Sequence, residues 1–82
     1  MADLKIRVYK NGNAEPDSTV TIPGGIIKTA AKLMPRVATD AMAEKGIDMD
    51  EIAKLAANPD LHDTLVEVED HKKGERVVIS LE

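Results

Sequence analysis

Four short stretches of the chain alternate apolar and polar residues, and their placement, two before a long helical region and two after it, limits the fold more than anything else. In LKIRVYK, Leu4, Ile6 and Val8 fall on one side and Lys5, Arg7 and Tyr9 on the other. Val20 and Ile22 alternate with Thr19 and Thr21. In TLVEVED, Val66 and Val68 alternate with Leu65, Glu67 and Glu69, and in ERVVISL, Val77 and Ile79 alternate with Arg76, Val78 and Ser80. A period of two sends successive side chains to opposite faces of a strand. Each segment therefore has one apolar and one largely polar face, the pattern of an antiparallel sheet covered on one side only. NGNAEPD joins the first pair and DHKKGE the second, both rich in turn formers, with Gly74 available for a positive backbone dihedral, so both pairs read as hairpins.

The cover must come from the middle of the chain. Ile26, Ile27, Ala30, Leu33, Met34, Val37, Ala38, Ala41 and Met42 recur at spacings of three and four, an apolar stripe from about residue 25 to 45. Pro35 interrupts it. A proline inside a helix removes a hydrogen bond and clashes one turn back, at about 3 kcal/mol, so the stripe is expected to break there, with Pro35 opening a second helix, in preference to a kink. Gly46 then ends the helix. IDMDEI starts another, with Asp48 as N-cap, Glu51 as its capping-box partner and Ile47 stapled to Ile52, and Asn58-Pro59 stops it. The expected fold is α+β: a two-layer sandwich in which a four-stranded antiparallel sheet, ordered ββ-helices-ββ along the chain, carries two or three helices on one face. The strand order across the sheet is left open at this point.

Eighty-two residues make one domain, residues 1–82, although the terminal Leu81-Glu82 also match the two-residue scar that cloning leaves before a purification tag. A chain this short buries about 60–65% of its unfolded surface, which leaves little room for an enclosed substrate cavity. Phe and Trp are absent and Tyr9 is the one aromatic residue, so the core is aliphatic. With no cysteine there is no disulfide framework, thiolate nucleophile or sulfur metal site. No apolar run approaches the ~20 residues of a membrane helix, and MADLKIRVYK lacks the apolar centre of a signal peptide. A cytoplasmic location without a direct membrane span is expected.

VTIPGGIIKTAAKLMP has the look of a phosphate-binding loop: a strand, two glycines, then Lys28-Thr29 opening a helix. The geometry denies it. Phosphate loops need GxxxxGK[ST], whose spacing lets several backbone N–H groups surround the phosphates, whereas Gly24 and Gly25 are adjacent and Ile26-Ile27 fill the space before Lys28. Asp60, His62, Asp63, Asp70 and His71 offer metal-ligand chemistry without a recognisable spacing. DMDE lacks the glycine and distal glutamate of a calcium loop and is already accounted for as a helix cap. Ser18, Ser80 and the threonines have no nearby histidine to activate them. An acidic chain with one tyrosine does not fit nucleic acid either. The expectation is a non-enzyme with no cofactor.

Charge is distributed unevenly: six Lys/Arg against three Asp/Glu up to residue 38, and five against twelve after it, for a net charge of -4. Neighbouring elements of opposite sign explain this most simply, with Lys5, Arg7 and Lys10 of the first strand facing Glu67, Glu69 and Asp70 of the third. The sheet face left uncovered by helices carries Lys5, Arg7, Tyr9, Thr19, Thr21, Leu65, Glu67, Glu69, Arg76 and Val78. Tyr9, Leu65 and Val78 on such a face, rimmed by Lys5, Arg7 and Glu67, have the make-up of a protein-protein surface. A protein partner or a weak homodimer, engaged by this face or by an unpaired edge strand beside it, is the expected use. Two alternatives remain: a small-ligand or metal-binding domain using the acidic C-terminal half, and a minor enzyme subunit whose active site a partner chain completes.

VTIPGGIIKTAAKLMP, GIDMDEIAKL and LVEVEDHKKGERVVISLE, taken in that order, resemble a small β-α-β module of bacterial envelope-stress proteins of the YvlB/LiaX type. There the module typically follows a short SHOCT-like helical hairpin. The resemblance covers most of the chain from Leu4 onward, with GIDMDEI and LVEVED its more specific parts, and it departs at Gly24-Gly25, where larger residues are usual. It implies a non-catalytic interaction or regulatory module, and it brings no active-site residues with it.

Overall fold

The computed structural model describes residues 2–58 and 60–82, and at Ala31 the backbone alone. The strands are β1 (Leu4–Lys10), β2 (Ser18–Ile22), β3 (Asp63–Asp70) and β4 (Glu75–Leu81). They form one antiparallel sheet in the order β2-β1-β4-β3, so the two hairpins lie side by side and the first and last strands pair at the centre. The reason is visible in the side chains. β1 and β4 each carry a full apolar row, and the register sets Leu4 opposite Leu81, Ile6 opposite Ile79 and Val8 opposite Val77. All six are buried on the covered face. The shorter apolar rows of β2 and β3 flank them, Ile22 beside Leu4 and Val66 beside Ile79. Leu81 and Glu82 are worked into this sheet: Leu81 is fully buried, and the Glu82 and Asp3 backbones exchange hydrogen bonds at 2.9 and 3.0 Å.

Three helical segments cover the sheet: a 3₁₀ helix (Gly24–Leu33), α1 (Arg36–Glu44) and α2 (Met49–Ala56). The apolar stripe does break at Pro35, which adopts an extended conformation (φ -59°, ψ 145°) and opens α1, its carbonyl accepting from the N–H groups of Ala38 and Thr39. Ahead of it the chain departs from the expected α-helix. At three residues per turn, Gly24, Ile27 and Ala30 line up and are buried. The wider stripe expected at 3.6 residues per turn does not form: Ile26 falls off this row and is 44% exposed, and Leu33, which continues the row at the last turn, is 62% exposed. Two glycines, two β-branched isoleucines and a proline just downstream all weaken the α-helical alternative in this segment.

Within GIDMDEI, Gly46 and Asp48 take the roles expected of them. Gly46 takes φ 70°, and the hydrogen bonds from Gly46 N–H to the Ala43 carbonyl and from Ile47 N–H to the Met42 carbonyl close the end of α1. The Asp48 side chain then accepts from the Glu51 N–H at 2.8 Å and caps α2. Asp48→Ala is expected to cost about 1 kcal/mol in chemical denaturation, and Asp50→Ala clearly less, because Asp50 offers only its charge to the helix N-terminus. Equal losses from the two would deny the cap. Helix α2 ends with Ala57 as C-cap, and Pro59, expected to stop it, lies outside the described residues.

Candidate interaction surface

The strand alternation puts Lys5, Arg7 and Tyr9 of β1 and Arg76, Val78 and Ser80 of β4 on the open face. Because β1 and β4 are neighbours, these meet in register: Lys5 with Ser80, Arg7 with Val78, Tyr9 with Arg76. The Arg76 guanidinium lies 4.2 Å from the centre of the Tyr9 ring, a cation-π contact, and reaches Glu67 of β3 at 3.8 Å. On the other side of Val78, Arg7 donates to Glu82 at 2.5 Å and to the Ser80 hydroxyl at 3.3 Å, while Ser80 donates to Glu82 at 2.9 Å. The hydrogen bond from Arg7, then that from Ser80, holds the Glu82 carboxyl down to about 2, and the same contact raises Arg7 above the usual guanidinium value. Two polar clusters thus flank a half-buried valine. Arg7, Tyr9, Val78 and Ser80 line a shallow depression of about 380 Å³ on this face.

Two expected placements are corrected. Leu65 does not join the open face. The pairing of β3 with β4 shifts register between Thr64 and Val66, a bulge that leaves Leu65 as the extra residue, and its side chain packs against the core. Apolar adjacency alone did not reveal it, because Val77-Val78-Ile79 in β4 is equally apolar and keeps its register with β1 unbroken. The charge pairing across the sheet also differs. β4 separates β1 from β3, so Lys5, Arg7 and Lys10 do not face Glu67, Glu69 and Asp70. The observed ion pairs are Arg7 with Glu82, Lys10 with Asp17 at 3.7 Å, Arg76 with Glu67, and His71 with Glu69 at 3.9 Å. Exposed pairs of this kind contribute about 0–1 kcal/mol each, so they arrange the surface more than they stabilise the fold.

At the VTIPGG junction the Gly24 N–H donates to the Asp3 carboxylate at 3.3 Å. An anion approaching the start of the 3₁₀ helix would meet a carboxylate already there. Among the described residues no three His, Asp or Glu side chains come together as a metal set would. The acidic half does line one larger feature, an open groove of about 850 Å³ between α1 and the β3-β4 hairpin, where Asp40, Glu44, Asp70 and Glu75 stand among Arg36 and Lys72 over an apolar floor that includes Val37 and Val77. Among the described residues no helix is long and apolar enough to cross a membrane.

Residues 3–80 match the family model of the YvlB-like protein, C-terminal domain. The chain belongs to that family. The match runs from the residue before β1 to the one before Leu81, so the YvlB-like domain takes in both hairpins, the helical layer and the open face together. No curated protein and no solved structure matches the chain.

Proposed function

We propose that this YvlB-like domain is a non-catalytic interaction module of a cytoplasmic bacterial protein, serving a regulatory role linked to envelope stress, and that its open sheet face docks a protein partner. The observation that carries the reading is the centre of that face. Tyr9, Arg76 and Val78 stand within one register step of each other, and tyrosine and arginine are the side chains enriched at the centres of protein interfaces. Arg7 is already paired with Glu82 and Arg76 with Glu67 within the chain, so each of these charges keeps a partner when the face is covered.

The test is a photo-crosslinking amino acid placed at Val78 in the protein expressed in its own cell. A discrete cross-linked product is expected from position 78 and not from Asn58, an exposed residue beyond the helical layer. The absence of any discrete product at 78 would sink the reading. The groove beside α1 favours one other assignment, a small-ligand site in the acidic half. Saturable backbone amide shifts confined to that groove on adding calcium, zinc or phosphate would move the assignment there.

A further inference from the structure

The two edges of the sheet are not alike. The β3 edge carries Asp63, Glu67, Glu69 and Asp70 and is interrupted by the bulge at Leu65. Like charges and a bulge are what keep an edge strand from pairing with a copy of itself. β2 has neither. STVTI contains no charged residue and no proline, four of its five residues are β-branched, and its register with β1 is unbroken. Its outer side is unpaired: β2 is the last strand of the sheet, and among the described residues no backbone hydrogen bond reaches residues 18–22 from outside β1. The 3₁₀ helix that follows β2 and packs beside it is also where Ile26 and Leu33 stand exposed.

We propose that β2 is a self-pairing edge: two copies of this chain join β2 to β2, antiparallel about a two-fold axis near Val20, and turn two four-stranded sheets into one continuous sheet. The proposal deepens the interaction reading above and rests on it, adding a second copy as one partner. Pro16 and Pro23 bound the strand and, having no N–H to offer, limit pairing to the segment between them, which holds the register. Within that register Thr19 faces Thr21 of the partner subunit and no charge opposes another. A second copy fits better than a charged peptide for that reason. So short an edge falls below the roughly 1,200 Å² of a stable interface, and the dimer is accordingly weak and concentration-dependent.

The experiment is sedimentation velocity from about 10 μM to about 1 mM, a range that resolves weak association. Wild type is expected to shift from the 8.9 kDa monomer toward twice that mass. Thr19→Glu with Thr21→Glu sets carboxylates opposite Arg7 and Lys5 of β1, which supports the monomer fold, and opposite each other across the two-fold axis, which opposes the dimer. The double variant is expected to remain monomeric throughout. Tyr9→Thr with Val78→Thr, on the open face, is expected to associate as wild type does. Should the glutamate variant not fold, concentration-dependent amide shifts of wild type confined to residues 17–23 and the exposed side of the 3₁₀ helix carry the same test. A wild type that stays monomeric, or shifts elsewhere than this edge, overturns the proposal. Association lost in the open-face variant and kept in the edge variant overturns the edge as well, while leaving the open face as an interaction surface.

Discussion

Ile79→Ala is expected to cost about 2–5 kcal/mol of folding stability, and Val78→Ala, one residue away on the same strand, less than about 1 kcal/mol. The contrast follows from the two faces of the sheet. Ile79 is fully buried at the centre of β4, opposite Ile6 on one side and Val66 on the other. Removing its branched side chain leaves a cavity walled by three hydrogen-bonded strands, which have little freedom to collapse into it. Val78 points to the open face, where solvent fills whatever is removed. Stability of about 0.05–0.15 kcal/mol per residue gives a domain of this size roughly 4–12 kcal/mol in all, so the Ile79 variant loses a large share of it. Urea denaturation of both variants measures the difference, with an unchanged slope required for the two to be compared. Equal losses would mean that the helices do not cover the face carrying Ile79.

Local chemistry made much of this fold readable. Alternation assigned the two faces of β1 and β4 correctly because a strand's period is fixed by its geometry, and Pro35, Gly46 and Asp48 ended or began helices for reasons contained in a few adjacent residues. What escaped was non-local or depended on small energy differences. The order β2-β1-β4-β3 depends on how a helical layer returns the chain, which no single segment encodes. From that order came the error in charge pairing, since Lys5, Arg7 and Lys10 could be matched with Glu67, Glu69 and Asp70 only if β1 and β3 were neighbours. The 3₁₀ pitch differs from the α-helical one by 0.6 residues per turn, little enough for apolar spacings of three and four to fit both. In the candidate surface, Tyr9, Arg7 and Val78 were assigned to the right face, but their meeting in one depression needed the β1-β4 register. The Arg7-Ser80-Glu82 cluster was missed because it also needed the β1-β4 register, which sets Arg7 beside Val78 and so within reach of Ser80 and Glu82.

Gly46→Ala is expected to destabilise the domain by about 1–2 kcal/mol, while Gly25→Ala is expected to leave it unchanged or raise its stability by up to about 1 kcal/mol. Neither position is crowded: a Cβ at either glycine meets nothing within 4 Å. Steric fit therefore cannot separate them, and backbone conformation must. Gly46 holds φ 70°, where an L side chain meets its own carbonyl, and it does so because the Gly46 and Ile47 N–H groups must turn back to the Ala43 and Met42 carbonyls. That turn places Ile47 against the core, next to the Asp48 cap of α2, so a relaxed backbone at residue 46 would disturb both helices at once. Gly25 sits at negative φ in the 3₁₀ helix, a conformation alanine adopts readily, and substitution there removes freedom from the unfolded chain alone. Gly46→Asn should fall between wild type and Gly46→Ala, since asparagine tolerates the left-handed region better than alanine. Thermal and urea unfolding of the three variants decide the point: a Gly46→Ala protein as stable as wild type would show that α1 runs on through residue 46 instead of ending in a left-handed turn.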